Sequence, residues 1–433
     1  MTTSEIFYCF VCVGLLLGAM VLVRFASARF DWSSEVQRKL LHLAAGLSAL
    51  SFPFLFDSPW PVVILMTSTV GVLLILRLPL FAREGLSKAL HGVERISYGE
   101  ILLAIAVAVV FFRAGGEPVL FVLPILILTL SDAAAALVGV RYGTRTFQVE
   151  AGAKSLEGSA IFFLTSWILS MVCLLVLTDI DRVALVYLSV AIAGFATLVE
   201  ADSWRGFDNL FVPVGVHLFL VSHFNSGPAE LLVIVSACML LVAIFTFAGS
   251  RLGLTPHAAR AYAILAFLIL SVTSAHNLIL PLAVIAAHWY ARQKVPCNSP
   301  FSDLDLIAAS AMIGLFWLAF GEWHGANAIN LFNLTFAALA FGLLSTAGLP
   351  AFPQGLLAGG LLLAAVLGLS FLNVDEARWY GLLMPWALAA LVFSWVLPRW
   401  LPQAFNVYRS LRLSGLALAT PVFLYVTTVV LAK

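Results

Sequence analysis

Apolar residues along this chain come in long blocks separated by short polar breaks, not in the alternating rhythm of strands or the striped rhythm of surface helices. The blocks stand near 6–23, 40–56, 60–81, 99–112, 118–140, 159–178, 183–199, 211–222, 229–250, 260–275, 277–291, 304–321, 326–345, 355–373, 379–397 and 413–432. A helix needs about 20 apolar residues to cross a bilayer core, and inside lipid only a helix or a closed barrel satisfies its own backbone. The pattern therefore predicts an all-α polytopic transmembrane helical bundle of about 14–16 spans. Blocks 40–56 and 211–222 are short, which predicts tilted or re-entrant helices. Gly and Pro interrupt the apolar run at "SHFNSGPAE", residues 222–230, and predict two regions, 1–224 and 225–433.

Composition removes the soluble alternative: 62% of residues are hydrophobic, 10% are charged and mean hydropathy is +1.05. A net charge of +1, with no basic stripe, gives no footprint for nucleic acid. The cysteines stand singly, at 9, 12, 173, 238 and 297, without metal-site spacing. At the N-terminus an acidic residue precedes the apolar run and basic residues follow it, which fits a first transmembrane helix better than a cleaved signal or transit peptide. The expected location is a bacterial cytoplasmic membrane.

Charge fixes the expected orientation. With the N-terminus outside, all of the 23 lysines and arginines except Arg113, Arg182, Arg378 and Lys433 fall in cytoplasmic loops. Glu35, Glu94, Glu100, Asp132, Glu157, Glu200, Asp202 and Asp208 fall on that same face, all in the first half of the chain. A rim of mixed carboxylates and cations suits a charged, soluble cosubstrate. In the second half His276, Asn277, His288, Asp303, Asp305, Glu322 and His324 scatter over both faces and suggest no role.

Within "LTLSDAAAALVGVRYG", residues 128–143, Asp132 ends an apolar run where a mid-membrane charge costs about 2.5–3.5 kcal/mol. Ala135, Ala136, Gly139 and Gly143 share its helical face, so a neighbouring helix or a ligand can come close. The loop that follows, "TRTFQVEAGAKSLEGSA", ends in Lys154, Ser155, Glu157 and Gly158 as the next helix begins. Ser155 is a candidate N-cap, and free N–H groups beside Lys154 suit phosphate. No GxxxxGK[ST] string occurs.

The series Asp132, Ala135, Gly139, Gly143, then Lys154-Ser155 and Glu157-Gly158, resembles the CTP-binding signature of the polyprenol kinases: dolichol kinase, phytol and farnesol kinase, and the CTP-dependent diacylglycerol kinase. "RKLLHLAAG" (Arg38, Lys39, His42, Gly46) and "SYGE" (Ser97, Gly99, Glu100) stand upstream. "LVEADSWRGFDNLFVPV" (Glu200, Asp208, Asn209, Pro213) stands downstream. The resemblance covers about residues 35–222 and leans toward the phytol kinase branch. Ala153-Lys154 replaces the family's paired lysines, and the gap from Gly143 to Lys154 is longer than its commonest form.

The resemblance implies an integral membrane kinase that moves the γ-phosphate of CTP to an isoprenoid alcohol. Its partners are the lipid alcohol, the nucleotide and membrane lipids. Arg38, Lys39, Gly139, Arg141, Gly143, Arg145, Lys154, Ser155 and Gly158 are then expected around the nucleotide. Asp132, Asp208 and Asn209 are expected to hold Mg2+ or another divalent cation, which binds through one or two carboxylates plus phosphate. Asp132, Glu157, Glu200 and His42 are the catalytic candidates. His42 is equally readable as a packing histidine, and Glu100 as the partner of Ser97 in a capping box. The other readings are a dolichol or diacylglycerol kinase, a phosphatidate cytidylyltransferase and a secondary transporter. The cytidylyltransferase's long C-terminal motif is absent. A transporter places its charges near the midplane between repeats, whereas here they gather at one face.

Overall fold

A computed structural model describes residues 2–32, 34–76, 98–150, 152–295, 297–320, 328–348, 352–373 and 380–430. Glu94, Ser97, Glu322, His324, Arg378, Lys433 and the basic loop within 77–97 lie outside the described residues, and nothing of the Glu35 side chain is described. The chain is an all-α polytopic protein that divides into two compact units, Met1–Ser236 and Ala237–Lys433. Among the described residues ten helices are long and apolar enough to cross a membrane, and Pro59–Ile75 and Pro256–Val272 are shorter apolar helices.

The first unit begins with α1 (Thr3–Phe30). Thr2 caps it: its Oγ1 accepts from the Glu5 N–H while the Glu5 carboxylate accepts from the Thr2 N–H. Then come α2 (Ser34–Leu50), α3 (Pro59–Leu76), α4 (Gly99–Ala114) and α5 (Pro118–Tyr142). A hairpin of β1 (Thr146–Val149) and β2 (Gly152–Ser155) leads into α6 (Leu156–Leu177), α7 (Arg182–Ala201) and α8 (Asp208–His223). Block 40–56 thus corresponds to α2 plus one turn at Phe52–Leu55, and block 211–222 to α8, both too short to cross a membrane upright. The segment read as a polar loop is the hairpin, in which Phe147 pairs with Lys154 and Val149 with Gly152. Cross-strand partners share a face, so Lys154 lies on the face that carries the buried Val149.

The middle of α5 is unusual. Pro124 has no N–H to give the Leu120 carbonyl, which a regular helix would bond four residues on. Nδ1 of His217, from α8, supplies the missing donor at 2.9 Å. Past the proline the helix widens into a π turn at Ile127–Ser131, directly before Asp132. Thr129 bonds back to the Ile125 carbonyl at 2.6 Å, and Ser166 of α6 donates to Ser131 at 2.9 Å. Gly46 of α2 faces this turn, where an added Cβ would come within 2.8 Å of Thr129 Cβ.

The boundary between the units falls in α9 (Pro228–Arg251). The second unit continues with α10 (Pro256–Val272), α11 (Ile279–Lys294), α12 (Ser302–Leu315), α13 (Ile329–Thr346), α14 (Phe352–Leu372), α15 (Tyr380–Trp400) and α16 (Arg409–Tyr425). Helix α13 is its core, packed against α11, α14, α15 and α16. Polar residues that look scattered in the sequence meet here. Asn277 Oδ1 accepts from Asn333 at 2.8 Å and from Asn373 at 3.0 Å, and His276 donates to Asn373 at 2.8 Å. Asp303 accepts from His288 at 3.2 Å and from Arg292, which also reaches the Leu252 carbonyl at 2.7 Å.

The His217 bond yields a stability prediction. His217→Ala strands the Leu120 carbonyl in an apolar core, at an expected cost of about 1–2 kcal/mol. Thermal unfolding in detergent should show the loss, and His217→Gln, which restores a donor, should recover part of it. Equal midpoints for wild type and the alanine variant would refute the compensation.

Candidate functional site

Charged residues that span the first unit's sequence converge at one place. Helix α2 contributes Arg38, Lys39 and His42, which fall on one side because they are one turn apart. Asp132 comes from α5 just after the π turn, and its residue is only 7% exposed. Lys39 Nζ binds both Asp132 oxygens at 2.7 Å. His42 Nε2 lies 3.9 Å from Asp132 Oδ2, is buried, and makes no hydrogen bond.

Lys154 of β2 and Glu200 of α7 form a second pair, at 2.7 Å, and Lys154 also donates to the Glu200 carbonyl. Asp208, in the first turn of α8, links the pairs, since its charge acts on Lys154, Glu200 and His42 together. Burial pulls the Lys154 ammonium down, but Glu200, Asp208 and Asp132 outweigh it and hold the group above the ordinary lysine value. A raised lysine stays charged at neutral pH. Its contribution to stability is complete below the ordinary value of 10.5 and is lost only as pH rises through the raised one.

The glycines occupy a close helix crossing. Ser155 is the N-cap of α6, its Oγ accepting from the Gly158 N–H at 3.1 Å. A Cβ at Gly139 would stand 3.0 Å from that Oγ, and one at Gly158 would stand 2.9 Å from it and 3.1 Å from the Ala135 carbonyl. At Gly143 an added Cβ would strike the Gly139 carbonyl and come within 2.8 Å of Ser155 Cβ. The small-residue face of α5 therefore packs against the start of α6, as such faces commonly do.

Other candidates lie further out. Glu157 accepts from Thr144 Oγ1 at 2.5 Å and from the Arg145 N–H at 3.2 Å, and the Arg145 carbonyl accepts from the Leu156 N–H at 2.8 Å. These bonds close the base of the hairpin. Arg141 and Arg145 are exposed, Arg141 lying 5.5 Å over the Tyr142 ring. Asn209 is buried beside Asp208. Helix α4 starts behind Tyr98 without a side-chain cap, with Glu100 in its first turn. Glu150, which has no signal in the sequence, is buried at the hairpin turn and pairs with Arg205 at 2.8 Å. Arg205 also accepts from the Tyr98 N–H through its carbonyl at 3.1 Å. Arg205 and Gly206 both adopt positive φ, 53° and 86°, and the "RG" pair is the one local hint of this turn.

Among the described residues no three of His, Cys, Asp and Glu come together as a ready metal centre. A magnesium ion needs fewer protein ligands, because nucleotide phosphates and water complete its shell. Asp208 fits that demand, as the described residues supply its carboxylate with no hydrogen bond. Asp132 fits it only after Lys39 lets go.

Fold and cluster together define a polytopic helical protein whose cations and carboxylates, drawn from four helices and a hairpin, meet at one partly buried site. Over 203 residues the chain is 32% identical to the phytol kinase of Synechocystis sp., a match spanning 46% of this chain and 84% of that protein. No family model matches the chain, and no solved structure matches it. The chain belongs to the phytol kinase family, as its motifs imply.

The Lys154–Glu200 pair gives a direct test. Lys154→Met or Glu200→Gln alone leaves one ion without its partner, whereas the double variant removes both. A double-mutant cycle on unfolding at neutral pH should give a coupling of about 1–2 kcal/mol, below the range for fully buried pairs because both side chains are part exposed. Additive losses would show the two charges to be independent.

Proposed function

We propose that this protein is a membrane-embedded kinase that transfers the γ-phosphate of CTP to the hydroxyl of a phytol-like isoprenoid alcohol, giving the prenyl monophosphate. The observation that carries this reading is the identity to a phytol kinase over most of that protein's length, joined to a site that holds the charges such a reaction requires. Ten helices fit for a membrane, with an excess of cations in alternate loops, support a multi-pass protein in a bacterial cytoplasmic membrane, N-terminus outside and site on the cytoplasmic side.

Phosphoryl transfer asks a protein for positioning and charge stabilisation more than for covalent chemistry. In this reading Lys39 and Lys154 exchange their carboxylates for nucleotide phosphates. Arg38, the Ser155 end of α6 and, from the rim, Arg141 and Arg145 complete the cradle. Asp132, freed from Lys39, joins Asp208 and Asn209 as the residues that hold Mg2+. The ion would neutralise the β- and γ-phosphate oxygens. Glu200, freed from Lys154, takes the acceptor's proton as the alcohol oxygen bonds to phosphorus and the bond to CDP breaks. His42, whose Nε2 is buried and unbonded near Asp132, is the other group fit for that proton. Gly139, Gly143 and Gly158 keep α5 and α6 close enough to present Lys154, and Glu157 holds the loop that carries Arg145.

Membranes holding the protein should label a prenyl alcohol from γ-phosphate-labelled CTP, with phytol, farnesol, a long polyprenol and diacylglycerol compared and ATP as competitor. Asp132→Asn, which keeps shape and removes charge, should lower transfer by about 100-fold or more. Label in diacylglycerol or a long polyprenol would change the acceptor. No labelled lipid with any nucleotide would overturn the kinase and favour a transporter.

A further inference from the structure

One feature next to the charged cluster has no part in holding phosphate. Between α6 and α7 runs an open groove of about 570 Å³, lined by Ser159, Ala160, Phe163, Leu164, Gly194, Thr197 and Leu198. It falls within the range of about 300–1,000 Å³ typical of small-molecule sites. Its lining is almost wholly carbon. Thr197 turns its hydroxyl to the Ala193 carbonyl at 2.6 Å and so leaves its methyl group to the groove.

The groove has a direction. The two helices are antiparallel neighbours joined by a short loop, so Ser159 lies opposite Leu198 and Phe163 opposite Gly194. Ser159 directly follows Gly158, and Leu198 lies two residues before Glu200, so this end adjoins the Lys154–Glu200 pair. Phe163 and Gly194 lie about 6 Å further along the helices. At the near end the Ser159 hydroxyl is buried and has no hydrogen-bond partner. At the far end a Cβ added to Gly194 would meet nothing within 4 Å, so this glycine marks open space and not a tight packing contact.

We infer that this groove holds the hydrocarbon tail of the acceptor alcohol, with the hydroxyl end at Ser159 beside Glu200 and the tail passing over Gly194. The inference rests on the proposed kinase reading for the identity of the occupant. An apolar groove whose near end adjoins a charged cluster and holds one buried, unpaired hydroxyl matches a molecule with a long carbon chain and a single terminal OH. Gly194 sets the depth available to the tail and Ser159 positions the head, so acceptor choice resides in these two residues and not in the charged cluster.

The test uses the full-length protein in lipid vesicles and a phytol analogue with a diazirine in its tail. Irradiation should label Phe163, Leu164 or the 194–198 stretch. Excess phytol should suppress the labelling, and a phospholipid of matching chain length should not. Gly194→Leu, which adds side-chain bulk over open space and raises helix propensity, should abolish the labelling. It should also raise KM for phytol about 10- to 100-fold with a smaller change in kcat, so that the ratio of kcat/KM between phytol and a short prenyl alcohol falls. Gly194→Ala should keep most of the labelling. Labelling elsewhere, equal suppression by phospholipid, or an unchanged KM in Gly194→Leu would overturn the groove assignment and leave the kinase reading intact. Labelling does not depend on turnover. A wild type that is labelled as expected but phosphorylates no alcohol would support the groove and refute the kinase.

Discussion

A carboxylate at the edge of an apolar bundle must have a cation beside it, and the first unit is organised around that requirement. Asp132 costs several kcal/mol if left alone in such a place, and Lys39 meets the need with one ammonium shared by both oxygens. The same demand, repeated at Glu200, draws in Lys154 from a hairpin that would otherwise have little reason to lie against helices. Each cation comes from a different element than its carboxylate, so the pairs tie α2 to α5 and the hairpin to α7. In the kinase reading proposed above, these charges are stored as partners of one another until a polyanion with its metal would replace both pairs, leaving no ion exposed to lipid.

Close approach is the complement of this arrangement. Gly139, Gly143 and Gly158 crowd around Ser155, which brings the end of β2 and the start of α6 against α5. Lys154 is one residue away, so its depth in the site is a consequence of the missing side chains. Glu157 stabilises the same corner from outside through Thr144 and Arg145. Residues that a motif groups together therefore divide the work: some carry charge, and others hold the backbone where the charge is useful.

Much of this is legible in one dimension because membrane helices announce themselves by length and composition, and because an unpaired charge in an apolar run has few reasons to exist. Asp132 stands out on those grounds, whereas Lys154, Glu200 and Asp208 stand out by their motifs, whose order leads to the family. Other features leave no such mark. Two four-residue strands are too short to show a period, so the hairpin reads as a loop. The bond from His217 to the carbonyl that Pro124 leaves open joins residues nearly a hundred positions apart. Asn277, Asn333 and Asn373 meet only in three dimensions, and their spacing along the chain gives no hint of it. Glu157 has the composition of a site residue and the hydrogen bonds of a loop clasp.

The π turn before Asp132 has a consequence for how such a site could be altered over time. A π turn carries one more residue than the α-helical turn it replaces, and each residue of a helix turns the next by about 100°. If Ile127–Ser131 tightened into an ordinary helix with all its residues kept, the face that carries Asp132 would swing by roughly a quarter turn relative to the preceding segment, whereas removal of one residue there would leave that face nearly in place. Loss of the widened turn without a deletion would thus turn the carboxylate away from Lys39, and a single deletion within the turn would compensate for it. The widened turn works as a register device, and it makes the direction of the most costly side chain in the bundle depend on residues that never touch it.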